Sequence, residues 1–339
     1  MTVSLAAADV ALGFACPRCH RELAATHDVY RCAGCGARFP VVLGIPDFRL
    51  EPDPWIGLEE DREKARRLEA VGRGASLEAM VRAYWSMTPG TPAAQAARFV
   101  DHVLSAYERS REWLGRIDAP APARSGEWLD LGTGTGDLAT AAAQQGVATV
   151  GIDIAMRWLV VARRRAELAG VAVRFVCCNA EYLPFTDGAF ARVMSLGTLE
   201  HCRSADQVLG DARRVLRRGG DVRVRTVNRF TILAEPHVGV WGVGFVPRRW
   251  ADRYVRARTG QGYEHHRPLS SRELARALAA AGFGDIRVDA APLLRAERAR
   301  LGGLGWAAAA AYERIRRTPL ARRALRWTAP LLEASGVAA

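Results

Sequence analysis

Lysine is nearly absent from this chain. Lys64 is the single one, so 47 of the 48 basic residues are arginine. The net charge of +12 therefore rests on one residue type. With alanine and glycine also abundant, a GC-rich coding bias explains that charge as readily as a polyanionic partner does. No apolar run approaches the ~20 residues that span a bilayer, which excludes a membrane-spanning helix. Met1 to Phe14 is mildly apolar with no basic stretch ahead of it, a poor export signal. The cytoplasm is therefore the expected location. The seven cysteines are odd in number and unevenly placed. Four fall between Cys16 and Cys35, while Cys177, Cys178 and Cys202 lie far downstream. That distribution excludes a disulfide framework and points to a metal site plus free thiols. A length of 339 residues allows one large domain with smaller attachments.

The clustered cysteines read Cys16-Pro-Arg-Cys19 and, twelve residues on, Cys32-Ala-Gly-Cys35. Each pair sits on a tight knuckle that aims two thiolates at one point, and two knuckles close a tetrahedral site for structural Zn²⁺. Four thiolates leave no open position, so no catalysis is expected there. Gly34 and Gly36 supply backbone freedom, and His20 is a surface residue or a substitute ligand. Segments 27–31 and 38–43 read as short strands. So small a module, residues 12–50, depends on its metal for folding. Its closing phrase, Phe39-Pro-Val-Val-Leu-Gly-Ile-Pro-Asp-Phe-Arg49, resembles the N-terminal zinc modules of many bacterial methyltransferases. Those of rRNA guanine methyltransferases are among them.

Residues 51–126 are a helical connector or lid. Leu77, Met80, Val81 and Tyr84 recur at helical spacing, and a second helix is expected from Ala93 to Ile117. Tyr84 and Trp85 either pack in the core or line a substrate mouth.

Residues 127–292 carry the most specific pattern. An apolar strand, Glu127-Trp-Leu-Asp130, runs into Leu-Gly132-Thr133-Gly134-Thr-Gly136 and then a helix. Glycines there let backbone pass close to a ligand at a strand's carboxyl end. A second strand, Ala148–Asp153, ends in a carboxylate that either caps a helix or accepts two ribose hydroxyls. Further on come Asn179-Ala180-Glu181, the strand Phe190–Gly197, Leu199-Glu200-His201 and Arg217-Arg-Gly-Gly220 before a fifth strand. Together these resemble the motifs of class I methyltransferases dependent on S-adenosylmethionine (SAM).

The resemblance implies an α/β Rossmann-like sheet with helices on both faces, extended by the ribbon and helical additions. It also implies that Asp130, Gly132, Thr133, Gly134 and Gly136 hold the methionine portion of SAM and that Asp153 takes the ribose. Ile154, Asn179, Ala180, Glu181 and Ser195 complete the cofactor site. Asn179 stands where the family usually has aspartate, and its amide oxygen is expected to accept from the adenine amino group. Leu183 and Phe185 are either near that ring or plain core.

An insertion at about 228–268 is rich in aromatics and histidines and reads as a substrate lid. His201 and His237 are the candidate general bases, with His265, His266 and Glu264 behind them. The tail, residues 293–339, reads as basic amphipathic helices. Such helices lie on an anionic membrane, track RNA or dock on the core; a seventh strand is not evident. The expected function is methyl transfer to oxygen, nitrogen or carbon of a small or lipid-linked metabolite, a secondary-metabolite, quinone-like or sugar intermediate. An rRNA or tRNA base methyltransferase and a silent SAM-binding scaffold are the alternatives, with RNA and the inner membrane face as further partners.

Overall fold

Short β-forming runs between tight turns build the N-terminal module. Strands β1 (Leu23–Thr26), β2 (Val29–Cys32), β3 (Arg38–Val42) and β4 (Ile45–Pro46) form an antiparallel sheet in that order. Leu43 and Gly44 both take positive φ (53° and 77°), the paired left-handed turn that a two-residue hairpin needs. The computed structural model of the chain describes residues 13–26, 28–88, 91–117, 126–299 and 301–339. His27, at the start of the first expected strand, lies outside them.

The chain divides into two compact units. The first runs to Arg192 and takes in Arg214–Arg217, and the second comprises Val193–Arg213 and Arg218–Ala339. Ribbon, connector and the first half of the cofactor core thus share one unit. The larger sheet has the order β10-β11-β9-β8-β5-β6-β7. Its strands are β5 (Trp128–Leu131), β6 (Thr149–Asp153), β7 (Arg174–Cys177), β8 (Phe190–Leu196), β9 (Leu216–Val227), β10 (Phe283–Ala290) and β11 (Leu331–Ala338). β5, β6 and β7 are parallel and joined through α5 (Asp137–Gln144) and α6 (Met156–Leu168). This is the expected α/β alternation.

Helices α1 (Leu58–Gly72) and α2 (Leu77–Ser86) pack with α6 through Leu68, Met80, Val81, Tyr84, Met156 and Leu159, all buried. Tyr84 lies against Trp158, ring centroids 4.2 Å apart, and Trp85 stacks on Phe99 at 4.6 Å. Of the two readings given to Tyr84 and Trp85, the packing one fits these contacts. The long helix expected over 93–117 is instead two, α3 (Ala93–Leu104) and α4 (Ala106–Leu114). They part at Ser105, whose hydroxyl donates to the Asp101 carbonyl and competes with the helical ladder.

In the second unit, α7 (Ala205–Val215) leads into β9, and α8 (Arg248–Thr259) lies within the insertion. A Ser270–Glu273 capping box starts α9 (Ser271–Ala280). The tail departs from expectation. Helices α10 (Arg295–Arg298), α11 (Gly303–Arg316) and α12 (Pro319–Thr328) are followed by a strand. β11 lies antiparallel between β9 and β10, its partners running from Leu331↔Val227 to Val337↔Asp221. The helical expectation for the last residues is therefore corrected, and the seventh strand exists. α12 docks on β10: Arg322 pairs with Asp289, and Trp327 lies under the Arg272 guanidinium at 4.4 Å. No described helix is long and apolar enough to cross a membrane.

Candidate active site

The four ribbon thiols converge. Cys16 Sγ lies 3.6 Å from Cys35 Sγ, Cys19 Sγ lies 3.4 Å from Cys32 Sγ, and all four fall within 4.8 Å of one another. Sulfurs set tetrahedrally at ~2.3 Å from Zn²⁺ stand about 3.8 Å apart, so the donor set fits that ion. The residue after each CxxC is left-handed, His20 at φ 57° and Gly36 at φ 72°. His20 is exposed and serves the knuckle's backbone. Gly34 is small for a different reason than conformational freedom: a Cβ there would come within 2.7 Å of the Arg21 side chain. Cys35 N–H donates to Cys32 Sγ, which holds that thiol down at about 6.

The ribbon does not stand alone. Phe14, Tyr30, Phe39 and Phe48 pack ring to ring, and Phe14 also meets Phe185 at 5.8 Å. Phe185 and Leu183 are fully buried in this contact region, so of their two readings core packing applies. The chain leaving β4 is then sewn to the cofactor core. Asp47 bridges Cys177, Phe48 N–H donates to the Cys177 carbonyl (2.8 Å), and Arg49 Nη1 donates to the Ile154 carbonyl (3.0 Å). Around it lies a buried ion network that the sequence did not reveal. Arg49 binds Asp47 through two nitrogens (2.7 and 2.8 Å) and Asp61 at 2.6 Å. Arg157 binds Asp61 at 2.6 Å and Asp53 at 2.8 Å.

At the carboxyl ends of β5 and β6 the glycine-rich loop takes the form its sequence demands. Gly132, Gly134 and Gly136 are all left-handed, with φ of 76°, 53° and 74°. Gly134 N–H donates to Asp153 Oδ2 at 2.9 Å, and Ala155 N–H donates to Oδ1 at 2.8 Å. Asp153 thus ties the loop to β6 and keeps lone pairs for further donors. Burial raises its pKa to about 6, against those N–H groups. Asp130 is deeper. Its Oδ2 accepts from Thr133 Oγ1 (2.6 Å) and Ala139 N–H (3.0 Å), and burial raises it to about 7. Thr133 therefore turns its hydroxyl back onto Asp130.

Asn179 is also engaged within the protein. Its Oδ1 accepts from Leu50 N–H (2.9 Å) and Glu51 N–H (3.2 Å), and its Nδ2 donates to the Glu51 carbonyl. The amide oxygen expected for adenine thus holds the connector's backbone. Ile154, Ala180 and Glu181 lie in the same unit as Asp153. Ser195, on β8, is buried with its hydroxyl unpartnered among the described residues.

Gly136 is the loop's tightest point. A Cβ there would lie 2.9 Å from Ala162 Cα and 2.7 Å from its Cβ. Gly136→Ala is expected to cost about 3 kcal/mol, from the left-handed backbone and overpacking together. Denaturant unfolding checks this, and a loss below ~1 kcal/mol would contradict the account.

In the second unit three histidines meet. His201 ends a short 3₁₀ turn, His237 lies in the insertion and His266 precedes α9. Their ring centroids are 4.6 to 5.2 Å apart. His237 Nδ1 lies 2.5 Å from Glu235 Oε1. Burial lowers the His237 pKa, but the Glu235 carboxylate outweighs it and the net shift is upward. His201 and His266 are shifted down, by packing of their rings and by the neighbouring histidines, His266 to about 4. Glu264 is instead paired with Arg256. Sequence spacing does not distinguish His265 from His266.

Residues 129–220 match the family model of a methyltransferase domain. The matched segment is about a quarter of the chain. It contains the glycine loop, Asp153, Asn179 and His201. Over 94 residues the chain is 44% identical to a demethylmenaquinone methyltransferase of Thermus thermophilus, covering 27% of this chain and 43% of that one. It is 32% identical over 169 residues to a ubiquinone biosynthesis O-methyltransferase of Methylocella silvestris, covering 48% and 60%. It is 33% identical over 132 residues to the methyltransferase GfsG of Streptomyces halstedii, covering 38% and 46%. The chain thus spans about half the length of the curated relatives it matches.

Proposed function

We propose that this chain is a SAM-dependent methyltransferase acting on a small or lipid-linked metabolite of quinone-like or secondary-metabolite type. The observation that carries SAM binding is the loop of three left-handed glycines closed onto Asp153 by the Gly134 N–H. In this reading the loop backbone approaches the methionine portion and Asp153 accepts the ribose hydroxyls. Asp130 holds the loop's shape through Thr133 and Ala139, and the adenine lies by Ile154, Ala180 and Glu181. Ser195 is a further proposed cofactor residue, on the motif resemblance alone. The ribbon carries structural Zn²⁺ on Cys16, Cys19, Cys32 and Cys35.

The relatives' names favour a small acceptor, and so does the insertion. Ile232, Leu233, Trp241, Phe245 and Trp250 are each more than half exposed there. Such an apolar surface suits an apolar acceptor better than a polyanion. Methyl transfer needs the acceptor aligned with the sulfonium carbon and, for a hydroxyl, relieved of its proton. His201 and His237 are the proposed proton acceptors, His237 with Nδ1 anchored by Glu235.

Purified protein given labelled SAM, total RNA and a metabolite extract is expected to place label in an organic-soluble small molecule. Asp153→Ala should abolish that label. Label in RNA instead would overturn the metabolite reading in favour of an RNA base substrate.

The acid groups also set a pH dependence. Ribose hydroxyls donate to an ionised Asp153, whose pKa lies at about 6 beside Arg157 and Asp53. SAM affinity should therefore rise between about pH 5 and 7 and level off above. In the ligand-free protein the sign reverses. Asp130 and Asp153 hold protons more tightly folded than unfolded, so their contribution to stability is lost as pH rises from about 4 to 7. Calorimetric titration of S-adenosylhomocysteine tests the first statement. Asp153→Asn should flatten the profile, and an unchanged slope would remove Asp153 from the ribose role.

A further inference from the structure

The histidine trio has the makings of a metal site. One ligand nitrogen from each of His201, His237 and His266 can be chosen so that all three lie within 4.8 Å of one another. We infer that His201, His237 and His266 bind a divalent transition-metal ion, distinct from the ribbon's, with coordination positions left open for an oxygen ligand. Imidazole nitrogens suit Zn²⁺, Ni²⁺, Fe²⁺ and Cu²⁺, and three protein ligands leave room for water or an anionic oxygen.

Three features support the assignment besides convergence. Glu235, buried at 3% exposure, sits on His237 Nδ1, the carboxylate partner that fixes tautomer and ring direction in metal-ligating histidines. Glu235 is itself fixed by the N–H groups of His237 (2.8 Å) and Val238 (3.1 Å). The two other loops are joined by backbone, since Arg267 N–H donates to the Glu200 carbonyl at 2.6 Å, next to His266 and His201 respectively. Glu200 is in turn anchored through its side chain to Thr226 Oγ1 (2.7 Å). Tyr263 stacks on His266 at 5.2 Å, interplanar angle 12°. Metal–nitrogen bonds of ~2.0–2.1 Å bring tetrahedrally set ligand nitrogens to about 3.3 Å apart. His201 and His237 reach solvent, which leaves their rings room for the small rotation required.

The assignment concerns metal binding and stands whether or not the chain transfers a methyl group. With the ion in place, His201 and His237 act as ligands, and acidity moves to an oxygen held on its open positions.

The test is the metal content of tag-free full-length protein equilibrated with Zn²⁺ and passed through a desalting column. Two equivalents per chain are expected in the wild type and one in His201→Ala and in His266→Ala. Glu235→Gln should weaken the second site about tenfold or more in a Zn²⁺ titration. Thermal unfolding monitors the fold of each variant, and His237→Gln, which retains a donor for Glu235, provides a second variant that keeps that contact. With Co²⁺, the second equivalent should show d–d absorption without a thiolate charge-transfer band. A wild type that retains only one equivalent, or a second equivalent that survives in all three histidine variants, would overturn the inference.

Discussion

Asp61→Ala is expected to lower stability by about 3–5 kcal/mol. Asp61 is wholly buried and accepts from Arg49 Nη1, Arg157 Nη1 and the Met156 N–H, at 2.6, 2.6 and 2.9 Å. Alanine removes the one carboxylate shared by both guanidinium groups. Arg49 keeps Asp47 and Arg157 keeps Asp53, but one charged donor of each, and the first backbone N–H of α6, lose their acceptor. Desolvation of these groups was compensated by Asp61, so its loss leaves them buried and underpaired. The midpoint of denaturant unfolding should fall with an unchanged slope. Glu63→Ala, on the exposed face of the same helix, should leave the midpoint almost unchanged. Equal effects from the two substitutions would mean that the network contributes nothing specific.

Withdrawal of zinc is expected to weaken SAM binding at least tenfold, although the thiols are not themselves cofactor ligands. Structural zinc sites of this type carry about 10–16 kcal/mol of apparent binding free energy, which is folding free energy for a module with so small a core. The ribbon's exit strand continues into Asp47–Glu51, which supplies Arg49 to the Ile154 carbonyl and the Leu50 and Glu51 N–H groups to Asn179. Loosening that segment leaves the loops after β6 and β7 without their polar partners. Calorimetry with S-adenosylhomocysteine, before and after a thiol-competing chelator, measures the effect, and Cys35→Ser repeats it without chelator. Loss of the ribbon's structure with unchanged affinity would show that the two sites are uncoupled.

The parts legible in the sequence are those where a local requirement selects the residue. Left-handed backbone at Gly132, Gly134 and Gly136 admits few other residues, and cysteines paired with two residues between them announce a knuckle. Other parts were closed to sequence reading because partners far apart in the chain decide them. Asp47, Arg49, Asp53 and Asp61 look like ordinary solvated charges until α6 brings Arg157 among them. Asn179 reads as an adenine ligand until the backbone of Leu50 and Glu51, nearly 130 residues earlier, occupies its oxygen.

β11 marks the boundary most sharply. Leu331–Ala338 alternates in burial with period two, yet its alanines, serine and glycine have little β propensity and follow a helical run. The strand forms because its backbone completes the hydrogen bonding of β9 and β10, and Gly336 leaves the space into which Phe283 packs. The cysteine knuckles, the glycine loop and the α/β alternation follow from the order of residues alone, since each depends on local backbone geometry or local periodicity. The ion network, the engagement of Asn179, the last strand and the choice of His266 over His265 arise only when distant segments fold together. Each of these satisfies buried polar groups or gathers side chains from segments that the sequence keeps apart.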